Sequence, residues 1–155
     1  MSRHEKRVTA QLESKHVSTF LPLLDQVHRW SDRRSVVAVP MFSCYAFVRI
    51  VQTVGERLKI LQTPGVLGFV GSERQGTPIP DEQIENLRTA ISEKIPCFPY
   101  PFINAGKRVR IRGGSLDGIE GILVRKGRAQ NLVVSIELLR RSASIQLDGY
   151  DIELV

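Results

Sequence analysis

Apolar residues fall along this chain in two rhythms, and the change between them comes near residue 105. Val8 and Leu12 recur at helical spacing with Lys15 next on the stripe, which predicts a helix over 3–16 with Arg3, Lys6 and Arg7 turned to solvent. Ile84, Leu87, Ile91 and Ile95 mark a clearer helix over 81–95, opened by Pro80 and the acidic pair Asp81 and Glu82. Between the two, strand patterns dominate. Residues 20–24 form a short apolar run, read as a strand or extended segment, and the polar stretch 25–35 predicts a loop or hairpin tip. Residues 36–51 are rich in Val, Ile, Phe, Tyr and Ala and broken by Pro40, so they predict two strands or one bulged strand. Alternation there sends Cys44, Ala46, Val48 and Ile50 to one face and Tyr45, Phe47 and Arg49 to the other. A short helix over 57–61, a Pro-Gly turn at 62–65 and a strand over 66–71 follow.

Pro96, Pro99 and Pro101 then interrupt the pattern and predict a stiff, extended linker over 96–105. Beyond it Val109 and Ile111 alternate with Arg108, Arg110 and Arg112. Turns at 118–121 and 127–131, apolar residues at Ile119, Ile122 and Val124, and apolar runs at 132–139, 143–147 and 152–155 predict about five short strands and a small barrel. The expected organisation is an N-terminal domain over 1–95, the linker, and a β domain over 106–155.

Composition narrows the function without deciding it. The chain has 155 residues, 42% hydrophobic and 25% charged, as an ordinary globular protein does. Its net charge of +6 suits an anionic partner such as nucleic acid, although many basic surfaces bind nothing. The charge is spread along the chain: residues 1–95 carry 13 Lys and Arg against 10 Asp and Glu, and residues 96–155 carry 9 against 6. His4, His16 and His28 lie far apart with no cysteine cluster beside them, so no metal or other cofactor is expected. No P-loop, nucleophile elbow or paired carboxylate setting is visible, which disfavours an enzyme. No apolar run has the length of a membrane span, and a cytoplasmic location is expected.

Two blocks carry candidate chemistry. In the first, Arg29, Trp30, Arg33 and Arg34 precede the aromatic strand. Trp30 either stacks on a base or packs its ring on the domain, and the residues leave both open. Tyr45 and Phe47 form either one side of a central strand covered on both faces or an open face that docks a partner. The second block runs Gly106-Lys107-Arg108-Val109-Arg110-Ile111, then Gly113-Gly114, Gly118 and Gly121.

Together these blocks resemble the NusG family of transcription elongation factors, in which an N-terminal NGN domain is joined to a C-terminal KOW domain. Pro40 to Arg49, Thr63-Pro64-Gly65-Val66, Gly68-Phe69-Val70-Gly71 and Ile79-Pro80-Asp81-Glu82 are similar to NGN blocks. Gly106, Val109, Ile111, Gly114, Gly118 and Gly121 follow the KOW pattern. The segments 2–6 and 29–33 look most like the specialised UpxY and LoaP paralogues, with RfaH more distant. Ser43-Cys44 replaces the family's Pro-Gly, and the family's first NGN strand has no counterpart before Met1-Ser2. That departure leaves open an upstream start or a truncated copy.

The resemblance implies an α+β fold: an NGN antiparallel sheet flanked by helices, then an SH3-like KOW barrel. It implies an aromatic pocket for the clamp helices of RNA polymerase at Phe42, Tyr45, Phe47 and Phe69. It implies contact with the non-template DNA strand through Arg3, His4, Lys6, Arg29, Arg33, Arg34, Gln62 and Thr63. Leu138, Leu139, Arg140 and Arg141 lie where KOW domains meet ribosomal protein S-ten or Rho. The implied activity is processive, pause- and termination-resistant elongation by a monomer. The competing readings are a KOW-bearing ribosomal or RNA-binding protein and an inactive NusG remnant. Val133-Val134-Ser135-Ile136 and the glycines between 113 and 127 favour β structure over a helical hairpin for the last domain.

Overall fold

The computed structural model describes residues 4–29, 34–71, 76–103, 106–126, 129–147 and 149–155, with backbone alone at 27–29, 34, 35, 125, 126 and 129. The chain forms two compact units, Met1–Gly76 and Thr77–Val155.

The first unit opens with α1, His4–Ser14. This helix ends where His16 enters the left-handed region at φ 59°. Its amide and that of Val17 donate back to the carbonyls of Glu13 and Leu12, so the last turn is closed without a glycine. Leu12 and Val17 then meet in a buried cluster with Val8 and Ile60, against which Val48, Ile50, Val66 and Phe69 pack. Ile60 comes from α2, Val54–Leu61, which is longer than the expected 57–61. The extension is set by Thr53, whose side chain accepts from the Glu56 amide at 3.3 Å. Thr53 and Glu56 have the spacing of a capping box.

The strands of this unit form two separate antiparallel pairs: β1, Ser18–Phe20, with β4, Phe47–Arg49, and β2, Leu23–Arg29, with β3, Arg34–Pro40. Two strands within 36–51 agree with the expectation, but the polar stretch 25–35 is mostly ladder. Asp25 pairs with Ala38 and Gln26 with Val37, the ladder runs to Arg29 and Arg34, and residues 30–33 lie outside the described residues. Residues 66–70 are not a strand. Val66 and Phe69, three apart, both pack on the core while Leu67 is fully exposed, and that spacing is incompatible with strand alternation.

The second unit begins with α3, Asp81–Ser92, which buries Leu87 and Ala90 and contacts strand β8, Ala129–Ile136. It stops short of the expected 95 because Lys94 is left-handed at φ 55°, and the Lys94 and Ile95 amides donate back to Ile91 and Ala90. The expected linker contributes a strand, β5, Cys97–Tyr100. It pairs with β9, Arg141–Gln146, because the proline-rich segment is already extended. The five strands expected after residue 105 are present: β6, Arg108–Arg112; β7, Glu120–Lys126; β8, Ala129–Ile136; β9; and β10, Asp151–Leu154. The sheet order is β10-β6-β7-β8-β9-β5. Val109, Ile111, Leu132, Val133, Val134, Ile136, Ala143 and Ile145 are among its buried apolar residues, with Leu116 and Ile119 added from the β6–β7 connection.

Two features of this unit are directly testable. A Cβ on Gly121 would lie 2.5 Å from the Val133 carbonyl oxygen, which belongs to a paired strand and has no room to withdraw. Gly121→Ala is expected to destabilise the unit by about 1–3 kcal/mol, read as a lower melting temperature. Cys97 is buried, and burial pushes its thiol up to about 11. The folded state therefore favours the protonated thiol; this contribution is present below the ordinary thiol range and is lost as pH rises through about 11. Because the thiolate is the nucleophile, alkylation at about pH 8 is expected to label exposed Cys44 and spare Cys97 until denaturant is added.

Candidate functional site

The structure divides the four expected pocket aromatics between two clusters. Phe42 and Phe47 are buried at 4% and 8% exposure. Their rings meet edge to face at 6.2 Å, and Phe47 also stacks on Phe20 at 5.9 Å. Phe69 instead packs with the α1–α2 core alongside Val48, which alternation places on the opposite side of β4 from Phe47. Tyr45 is half-buried. The aromatic strand thus reads chiefly as one covered on both faces, with Tyr45 and Phe69 retaining partial exposure. The sequence did not reveal this because β4 starts only at Phe47. Before it the chain turns, with the Tyr45 amide donating to the Phe42 carbonyl at 3.1 Å and Cys44 left-handed at φ 71°.

That turn is anchored by a residue the sequence reading did not single out as functional. Glu5, on α1 and only 7% exposed, accepts from the Cys44 amide at 2.7 Å. A carboxylate acceptor on a part-buried amide is a strong local restraint. It fixes the chain between Met41 and Tyr45 relative to α1. The Met41 amide donates to the Pro22 carbonyl at 2.8 Å and holds the other end. Lys6, one residue on, donates to the Ala38 carbonyl at 2.5 Å, so α1 is also tied to β3.

The expected nucleic-acid contacts separate in the same way. His4, Lys6 and Gln62 are exposed. Thr63 is a correction: it is 1% exposed and turned inward, so it has no surface to offer a base. Its hydroxyl donates to the Lys59 carbonyl at 3.0 Å and accepts from Lys15 Nζ at 2.7 Å. Lys15 Nζ also donates to the Lys59 carbonyl at 3.3 Å. A cation at the last turn of α2 complements the negative end of that helix. The apolar stripe that placed Lys15 beside Leu12 therefore ends in a charge with a structural role. Arg3 and Arg33 lie outside the described residues, and Arg29 and Arg34 are described by backbone alone, as the last pair of the hairpin.

In the second unit, Leu138 and Leu139 are half-buried in a single 3₁₀ turn, Glu137–Leu139, and Arg140 and Arg141 are exposed. Arg140 is left-handed, with φ 48° and ψ 46°, and its guanidinium lies 5.9 Å from the centre of the Phe102 ring. Two of the three arginines of β6 are engaged by acids across the sheet. Arg110 Nε donates to Glu120 at 2.8 Å and Arg112 Nε to Glu153 at 2.6 Å. The Glu120 hydrogen bond and charge raise the Arg110 pKa further. Among the described residues no group of His, Cys, Asp and Glu is placed to hold a metal ion. No described helix is long and apolar enough to cross a membrane.

Fold and surface thus define a two-part α+β protein with partly exposed aromatics and exposed basic residues in both parts. Comparison with known proteins is more specific. The family model described as transcription termination factor NusG matches residues 1–88. The chain belongs to the NusG family. It is 30% identical over 102 residues to a transcription termination/antitermination protein NusG of Borreliella burgdorferi, covering 62% of this chain and 55% of the relative. To the Lactococcus lactis protein of the same name it is 26% identical over 116 residues, covering 73% of this chain and 62% of the relative. The chain spans less than two thirds of either curated relative's length. A solved structure described as "Domain interaction in Thermotoga maritima NusG" matches with a TM-score of 0.54 at 22% identity, over 94% of this chain and 88% of that one. At that identity the likeness concerns the fold, and it supports the pairing of an NGN-type with a KOW-type part.

The Glu5 tether gives a direct test. Glu5→Ala removes the acceptor of the Cys44 amide and is expected to destabilise the first unit by about 1–3 kcal/mol. Hydrogen exchange should show faster exchange at the Cys44 amide. Unchanged exchange there would show that the tether does not hold the turn.

Proposed function

We propose that this chain is a transcription elongation factor that binds RNA polymerase through its NGN part and favours processive, pause- and termination-resistant elongation. The observation that carries the reading is the NusG family match over residues 1–88, which contains every aromatic and every basic candidate of the first unit. The curated relatives are named for termination and antitermination, in keeping with this role. In this reading residues 1–95 serve as the NGN domain and 106–155 as the KOW domain, with the working division at 96–105. The protein acts as a cytoplasmic monomer of the specialised type.

Tyr45 and Phe69, the partly exposed aromatics, supply the docking contacts to the clamp helices. Phe42 and Phe47 set the backbone beneath Tyr45, and the α1–α2 core holds Phe69. His4, Lys6, Gln62 and the arginines 3, 29, 33 and 34 face the non-template strand; cations neutralise phosphates while His and Gln meet exposed bases. Thr63 is left out because its hydroxyl is used inside the unit. Leu138, Leu139, Arg140 and Arg141 form the KOW contact to ribosomal protein S-ten or Rho. The mechanism needs no covalent step. A ligand that binds the closed clamp more tightly than the open one depopulates paused states that require opening.

A single-round transcription assay over a template with defined pauses and a terminator tests this reading. The chain is expected to shorten pause lifetimes. Tyr45→Ala should weaken the effect with polymerase binding reduced about 5- to 150-fold, the range for losing one aromatic anchor. Pause lifetimes that respond equally to the wild type and to Tyr45→Ala would remove the aromatic docking contact from the mechanism.

A further inference from the structure

We propose that the aromatic edge of the second unit, formed by β5 and the 3₁₀ turn after β8, is a binding site for single-stranded nucleic acid. Phe98 on β5 is 58% exposed although it lies within a hydrogen-bonded strand. Its cross-strand partner is Ser144, and Tyr100 faces Ser142, so small buried residues stand opposite both rings. Phe98 and Tyr100 are two positions apart and share one side of the strand, spaced about 7 Å along it. The pattern continues past the strand end, where Phe102 meets the guanidinium of Arg140. Arg141 is exposed beside it. Aromatic rings in a row with arginines at one end are what a single strand requires: bases stack on the rings while cations neutralise phosphates.

Two details favour this ligand over an added peptide strand. β5 is the last strand of the sheet, but Pro99 at its centre has no N–H to offer, which blocks an edge against strand addition. Two exposed arginines, Arg140 and Arg141, stand next to the rings against one exposed acid of the turn, Glu137, and Arg140 is held in a left-handed conformation by its amide's bond to the Glu137 carbonyl at 3.0 Å. The guanidinium is therefore positioned over Phe102 before any ligand arrives. A duplex does not fit, because its bases are already stacked on one another. The inference does not depend on polymerase binding and is tested without polymerase.

The test is fluorescence anisotropy of the full chain with labelled oligo(U), oligo(dT) and a DNA duplex, over a series of salt concentrations. The expected result is tighter binding to a single strand than to the duplex. Preference between oligo(U) and oligo(dT) then identifies RNA or DNA as the source. Phe98→Ala should weaken binding about 5- to 150-fold, the alanine-substitution range for one stacked base. Phe98→Trp should retain binding, which separates loss of stacking from loss of fold. Arg140→Gln should flatten the slope of log affinity against log salt by about 0.7, one phosphate contact to a single strand. Single-strand affinity unchanged by Phe98→Ala, or equal affinity for the duplex, would overturn the proposal, as would loss of binding in a normally melting Phe98→Trp variant.

Discussion

The contact of α1 with α2, made by Val8 and Leu12 against Ile60, carries the first unit, because neither of its β pairs is large enough to stand alone. Two-stranded ladders bury little and leave open edges, so order has to come from what the helices press against them. The left-handed closure at His16 turns the chain back so that Val17 lands beside Leu12. Polar ties then fix what the apolar cluster only gathers: Glu5 to the Cys44 turn, Lys6 to β3, and Lys15 to the end of α2. A candidate binding surface built on such a frame inherits its accuracy from α1.

The second unit is organised differently. Its strands follow each other in register from β6 through β9; β6 buries alternate residues, while β8 and β9 bury consecutive ones, as strands covered on both faces do. Here the ladder itself gives order, and the helix α3 is an addition to it. The close approach at Gly121 shows how tightly two of these strands are set. This contrast between a unit held by side-chain ties and a unit held by its ladder bears on which parts tolerate change. Surface positions of the β unit have more freedom than those on the α1 side of the first.

How far this was readable from residues alone depended on whether the signal was periodic. The alternation of Val109 and Ile111 with arginines, and the stripe Val8, Leu12, are strong local patterns, and they lie where expected. Helix ends were less legible because His16 and Lys94 occupy left-handed positions that usually select glycine. The start of α2 was likewise missed, because Thr53 and Glu56 set it by capping-box spacing and not by the apolar rhythm that predicted 57–61. Sites were harder still. Thr63 has the composition of a surface turn but is drawn inward by Lys15 and the α2 terminus, a tertiary arrangement with no trace in its neighbours. Phe47 and Phe69 look alike in sequence, and only the packing of Val48 with Phe69 places them in separate clusters.

The arginines of β6 bear on how such a domain changes over generations. In sequence this strand is among the most basic in the chain, yet Arg110 and Arg112 are held by Glu120 and Glu153 on the two flanking strands. The face is therefore close to neutral by pairing, with basic side chains already in place. Loss of two acids, each reachable by a single nucleotide change from a glutamate codon to a lysine or glutamine codon, converts it into an anion-attracting surface without touching the core. A small β domain built this way stands a short mutational distance from a new class of partner, which is a route by which duplicated copies of one regulator acquire separate tasks.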